Sequence, residues 1–151
     1  MTAPKWNARV GSIKVSADKK QVDVAAALIF RDGKILITQR RADSHLGGLW
    51  EFPGGKRERN ETFEQCLVRE IREELGAEIL TDELFEEIAH AYPSKIVRLK
   101  FFSCRLVHGE PQPLGCAALK WIGESELNDY KFPDADTKLL LKLKSSPEFL
   151  G

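Results

Sequence analysis

Gly55 to Ala77 reads GKRERNETFEQCLVREIREELGA, and its second half decides the fold. Phe63, Leu67, Ile71 and Leu75 recur every four residues, the spacing of an apolar stripe along a helix. Thr62 followed by Gln65 has the form of a capping box and predicts the helix start, and Gly76 stands where a left-handed C-terminal cap is wanted. Glu70, Glu73 and Glu74 fall at i, i+3 and i+4, which places three carboxylates on one face. Like charges at that spacing repel, so a bare helix would be better without them. Arg69 and Arg72 offset part of the repulsion. A bound divalent cation, Mg²⁺ or Mn²⁺, would offset it better, because hard cations prefer carboxylate oxygens. The plainer alternative is a charged face turned to solvent.

Outward from this stretch, the bulk numbers set limits. A chain of 151 residues is most simply one domain with room for a core. Basic and acidic residues balance at 23 each, which argues against a general nucleic-acid or membrane-surface binder. Cys66, Cys104 and Cys116 show no metal-ligand or CxxC spacing; Cys66, next to the apolar stripe, is expected in the core rather than as a nucleophile. Such an unpatterned set suits a reducing compartment. MTAPKWNARVGSIK lacks an apolar segment of signal-peptide type, and the run Val24–Phe30 is too short to cross a bilayer. The expectation is a cytoplasmic protein.

Before the motif, residues 1–21 are polar and weakly patterned, a flexible arm or, through Ile13 and Val15, an extra strand. Val22–Phe30 reads as a strand buried on both faces, Asp32-Gly33 as a hairpin turn, and Ile35–Gln39 as the returning strand. A loop follows over Ala42–Leu49, and Trp50-Glu51-Phe52-Pro53-Gly54-Gly55 leads into the motif. After it come strands at Glu78–Leu80, Leu84–Tyr92, Lys95–Val107 and Ala117–Ile122. Glu124–Leu127 is expected to begin a short helix, and Asp136–Lys144 to form a C-terminal one. Strands flanked by helices without regular βαβ alternation predict an α/β fold in which helices sandwich a mixed sheet.

Gly55, Glu61, Arg69, Glu70, Ile71, Glu73, Glu74 and Gly76 also fall at the positions of the Nudix box, and the chain resembles Nudix hydrolases. Ala77 departs from the bulky aliphatic usual at the end of the box, a packing position. The resemblance implies an α/β/α sandwich over residues 22–151. It implies that Glu70, Glu73 and Glu74, with the carbonyl of Gly54, hold the divalent cations, that Glu61 supports them, that Arg69 orients a carboxylate, and that Glu70 is the alternative base toward water. Ile37-Thr38-Gln39-Arg40, Ala42-Asp43, Trp50 to Lys56 and Phe132-Pro133 extend the resemblance to the MutT branch, whose members hydrolyse nucleoside triphosphates. On that comparison Arg40 and Lys56 hold phosphate or base and Phe52 lines the base pocket. Asp136 stands where MutT reads the base with an amide, and Ala135-Asp136 resembles the related CTP pyrophosphohydrolases. An ionised Asp only accepts hydrogen bonds and favours an amino-bearing base edge such as cytosine.

Many relatives carry a glutamate six residues before the strand tryptophan; counting back from Trp121 reaches Gly115, with Cys116 after it. Glu110 is the nearest acid upstream. The expected reaction is Mg²⁺-dependent cleavage of a nucleoside triphosphate to monophosphate and pyrophosphate, on an oxidised purine such as 8-oxo-dGTP or on CTP or dCTP. Two alternatives stand beside it: a pyrophosphohydrolase of RNA 5′ ends, for which neutral charge is unfavourable, and a nucleotide-binding module without turnover. Trp50 and Trp121 are expected in the core or rim, His45, His90 and His108 as ordinary residues, and Asp136 also as a helix N-cap. Monomer and homodimer are both open.

Overall fold

The structure, a computed structural model, describes residues 19–150. Ile13, Val15 and most of the expected arm lie outside the described residues. The chain runs β1 (Lys20–Arg31), β2 (Lys34–Gln39), β3 (Trp50–Glu51), β4 (Gly54–Lys56), α1 (Phe63–Leu75), β5 (Glu78–Ala91), β6 (Lys95–His108), β7 (Ala118–Ile122) and α2 (Thr137–Leu143). Lys20 and Gln21, assigned to the arm by sequence, are already strand, because β1 pairs with β6 from Lys20 onward.

The sheet is ordered β3-β2-β1-β6-β5, with β4 pairing to β1 and β7 to β2. It is mixed: β1 and β6 run parallel, and the other pairs run antiparallel. Strand β1 explains the layering. Ala25, Ala27 and Ile29 face one way and join Phe63, Cys66, Leu67, Ile71 and Leu75 of α1 in one core. Ala26 and Leu28 face the other way and join Ile35, Ile37 and Phe101 with Leu139 and Leu143 of α2. Successive residues of a strand point to opposite faces, so a strand apolar on both faces can serve two cores. The result is an α/β/α sandwich.

Helix α1 follows its sequence signals. Thr62 accepts from the Gln65 amide at 3.0 Å while Gln65 accepts from the Thr62 amide at 2.8 Å, a complete capping box. Gly76 ends the helix at φ 65°, a left-handed conformation that costs glycine little. The Leu75 and Glu74 carbonyls, orphaned at the helix end, accept from Gln112 and from Leu114 and Gly115. Cys66 and Cys104 are buried, and burial pushes both thiols up to about 12, as core residues rather than nucleophiles.

Two expectations change and a third is refined. The segment Glu78–Ala91 is one strand rather than two, with register shifts around Thr81/Glu83 and Leu84/Glu86 that absorb the polar interruption. The short helix expected from Glu124 is there, as a 3₁₀ helix over Glu124–Asp129. Asp136 precedes α2 but makes no side-chain capping bond; its backbone is helical (φ −88°, ψ −1°) and belongs to a 3₁₀ turn over Asp134–Asp136. No helix among the described residues is long and apolar enough to cross a membrane.

Candidate active site

A cleft of about 440 Å³ opens where α1, the β1–β6 face and the segments around β3 and α2 meet. Glu70 and Glu74 line it from α1, Gly54, Gly55 and Lys56 from β4, Glu51 from β3, Arg40 and Phe52 from just beyond the ends of β2 and β3, and Pro133, Ala135 and Asp136 from the far end. Sequence segments far apart thus converge on one concave surface.

At the helix end of the cleft, Arg69 organises the acids. Its Nε and Nη2 donate to the two oxygens of Glu61 at 3.1 and 2.6 Å, and Nη2 also donates to the Lys56 carbonyl at 3.1 Å. Nη1 donates to Glu70 at 2.8 Å and, more loosely, to Glu73 at 3.4 Å. The bond from Arg69 and the backbone N–H of Glu58 hold the Glu61 carboxyl down at about 2. Glu70 is raised because burial outweighs its bond to Arg69. Its carboxyl lies directly over Gly55, where an added Cβ would stand 2.3 Å from Glu70 Cδ; any other residue at 55 would displace it.

Glu74 differs. No hydrogen bond or ion pair reaches its carboxyl among the described residues, and burial, then the charges of Glu70 and Glu51, push it up to about 8. Glu73 stays on the exposed flank of the helix and does not line the cleft. So the structure brings Glu70 and Glu74 together in the cleft and leaves Glu73 beside Arg69.

At the other end, Asp136 is 6% exposed and its carboxyl receives no hydrogen bond among the described residues. Burial and the Glu51 charge push it up to about 7. Phe52 lines the cleft, but one face of its ring is stacked on Phe132 at 5.2 Å, with Phe101 edge-on at 6.3 Å. Arg40 spends its guanidinium on the protein: Nη1 donates to Glu51 at 3.0 Å and Nε to the His45 carbonyl at 2.7 Å, tying the Ala42–Leu49 loop to β3. Lys56 lines the cleft from an exposed position.

Sequence reasoning missed three lining residues. Glu51 sits in a two-residue strand, too short to show a period. His45 and Tyr92, from distant segments, meet edge-on at 6.5 Å across the mouth. The loop that lacks the expected glutamate does reach the site: an added Cβ at Gly115 would lie 3.2 Å from Glu74 Cγ. Glu110 does not, being held by Arg31 at 2.7 Å. Trp50 and Trp121 are rim and packing residues, Trp50 against Tyr130 and Trp121 under Arg31.

The model of the NUDIX domain matches residues 24–142. The chain belongs to the Nudix family. Among curated Nudix relatives it is 42% identical to the CTP pyrophosphohydrolase of Escherichia coli over 80% of this chain and 90% of that one. It is 36% identical to the 8-oxo-dGTP diphosphatase of the same organism, over 83% and 98%. The solution structure of the E. coli ORF135 protein superposes with a TM-score of 0.76 at 38% identity, covering 87% of this chain and 96% of that chain. As a Nudix protein of this kind the chain is a hydrolase of phosphoric anhydrides, and Nudix hydrolases in general use divalent metals.

Proposed function

We propose that this Nudix hydrolase converts a nucleoside triphosphate and water to the monophosphate and pyrophosphate with Mg²⁺, or Mn²⁺, as cofactor. The observation that carries this is Glu74, a half-buried carboxyl that no hydrogen bond or ion pair reaches among the described residues, beside Glu70 in a cleft wide enough for a nucleotide. An acid sheltered in this way is expensive unless a ligand completes it. Among the described residues no three acidic, histidine or cysteine side chains stand close enough to cage an ion unaided. A site completed by water and phosphate oxygens is what Mg²⁺ favours.

Glu70 and Glu74, with the Gly54 carbonyl and with Glu73 from the solvent side, would hold the ion. When bound it supplies charge neutralisation and Lewis acidity at the phosphoryl group. In the alternative role, Glu70 is not a ligand and takes the proton of the attacking water instead; burial makes it a stronger base, and Arg69 Nη1 at 2.8 Å fixes its direction. Glu61 holds Arg69 in turn. Lys56 meets the phosphates, and Phe52 and Asp136 bound the base. Arg40, committed to Glu51 and His45, acts on substrate by holding the loop and Glu51 in place. The names of the two E. coli relatives support oxidised dGTP and CTP as the substrates to try first. A cytoplasmic location fits the three free thiols.

Pyrophosphate release from a panel of nucleoside triphosphates, with Mg²⁺ and with chelator, tests the reading. Release that requires the metal is expected. A protein that binds nucleotides tightly and releases none would instead be the binding module that Gly115, in place of a glutamate beside Glu74, allows.

A further inference from the structure

Between β4 and α1 the chain makes a turn, Arg57 to Glu61, whose middle residues Glu58, Arg59 and Asn60 are exposed. Its own bonds are few. The Glu61 amide donates to the Glu58 carbonyl, long at 3.4 Å, and the Glu58 amide donates to Glu61 Oε1 at 2.8 Å. An exposed turn held by so little belongs to the least stable part of a fold. Yet this turn has to present the Glu61 carboxyl squarely to Arg69, because Arg69 in turn directs Glu70.

Arg57 supplies the anchor. Alternation along β1 puts Asp23 on the face of Ala25 and Ala27, toward α1, where an acid meets the start of the turn. The Arg57 amide donates to the Asp23 carbonyl at 2.8 Å. Its Nε and Nη2 donate to Asp23 Oδ2 at 3.2 and 2.9 Å, and its Nη1 donates to the Glu61 carbonyl at 2.9 Å. Arg98 of β6 grips the same acid, Nε donating to Oδ1 at 3.2 Å. Both guanidinium groups stand over the ring of Phe63, the first residue of α1, at 5.4 and 5.0 Å. The three charged side chains are partly shielded from water, so their pairing is screened less than that of a surface pair.

A chain of close bonds therefore runs from the sheet to the cleft: Asp23 to Arg57, Arg57 to the Glu61 carbonyl, the Glu61 carboxyl to Arg69, and Arg69 to Glu70. Each link has a contact between 2.6 and 2.9 Å. Arg57 and Asp23 themselves do not line the cleft. We propose that Arg57, held by Asp23, is a positioning residue for the hydrolysis: it fixes the turn at Glu61 and, through Glu61 and Arg69, the direction of the Glu70 carboxyl. This rests on the reading of the cleft given above and extends it to residues outside the cleft.

Arg57→Lys keeps a positive charge beside Asp23 and keeps the backbone bond, but a point charge does not serve Asp23 and the Glu61 carbonyl together as the planar fork does. In pyrophosphate release from nucleoside triphosphates, kcat is expected to fall about tenfold, as misplacement of a reacting group does, with KM within about twofold. In a Glu61→Ala background, where the path to Arg69 is already cut, Arg57→Lys is expected to cost less than about twofold more. A role in stability alone would leave kcat unchanged below the melting transition or make the two losses multiply, and either result would overturn the proposal. Asp23→Asn, of the same shape with a weaker hold on Arg57, should lower kcat in the same way and serves if Arg57→Lys does not fold; wild-type kcat in that protein would also overturn it. The NMR signal of Arg69 Nε–H reads the same geometry without substrate. It is expected to be protected from exchange in the wild type by the bond to Glu61 and lost to exchange in Arg57→Lys, and an unchanged signal would contradict the proposal. If no nucleotide released pyrophosphate, the proposed reaction would fail, while the Arg69 signal would still judge the role of Arg57.

Discussion

Two groups of acids flank the same helix and are treated in opposite ways. Glu61, Glu70 and Glu73 gather around Arg69, whose guanidinium meets all three between 2.6 and 3.4 Å. Glu74, one turn beyond Glu70, and Asp136, across the cleft, receive no such bond among the described residues, and both hold their protons to near or above neutrality. Charge matched within the protein builds architecture: the Arg69 cluster fastens the loop at Lys56 and Glu61 to α1. Charge left unmatched in a cleft is a demand for a ligand. The Nudix box therefore contains glutamates bonded to Arg69 and one, Glu74, that is not, with Glu70 both bonded to Arg69 and lining the cleft.

Substitutions can break or sharpen this contrast. Glu74→Gln is expected to have the largest effect, lowering kcat by about 10²–10³-fold, as loss of a key electrostatic group does, with no loss of thermal stability. Steady-state kinetics with calorimetric melting would check both halves, and a variant that melted early would place Glu74 with the architectural acids. Arg69→Ala should do the reverse, lowering the melting temperature and reducing turnover about tenfold to a hundredfold by releasing Glu70 from its position. Rescue of melting but not of rate by Arg69→Lys would sharpen the case, since only the planar fork reaches Glu61 and Glu70 together.

Asp136 gives a pH signature. Its carboxyl binds a proton up to about 7 when folded against an ordinary 3.8, so the native state holds the extra proton between those values. The contribution of this group to stability should fall as pH rises from about 4 to about 7 and then level off. Asp136→Asn removes the group, so it should be more stable than wild type above pH 7, by at most about 4 kcal/mol, and equal to it below pH 4. Denaturant melts at the two pH extremes measure this, and the same gain at pH 3 and pH 8 would show that burial of the charge is not the cause. Smallest of all, Glu110→Gln should leave turnover within about twofold, because that acid pairs with Arg31 away from the cleft.

How much was legible depended on the distance over which each signal acts. Helix α1, its capping box, its glycine stop and the acids on its face were readable because their determinants lie within four residues of one another. The double burial of β1 was readable from an unbroken apolar run. Strands β3 and β4 were not, since two or three residues carry no period. Continuity of β5 through Thr81-Asp82-Glu83 was hidden because pairing with β6 holds the bulged backbone where side-chain pattern would end a strand. The sorting of Glu70 from Glu73 depended on which of them the fold turns into the cleft, and the meeting of Glu51 with Asp136 on the folded sheet. Asp136 looked like an N-cap by position; the 3₁₀ turn before α2 aims its carboxyl into the cleft instead.

Mn²⁺ binding to the intact protein and to Glu74→Gln, followed by the EPR signal of the free ion, tests the unmatched-charge account most directly. Wild type is expected to bind the ion, with affinity falling about tenfold or more in the variant, as loss of a carboxylate from an oxygen-ligand site requires. Identical Mn²⁺ affinity in the two proteins would contradict it, because Glu74 would then have no cation to answer.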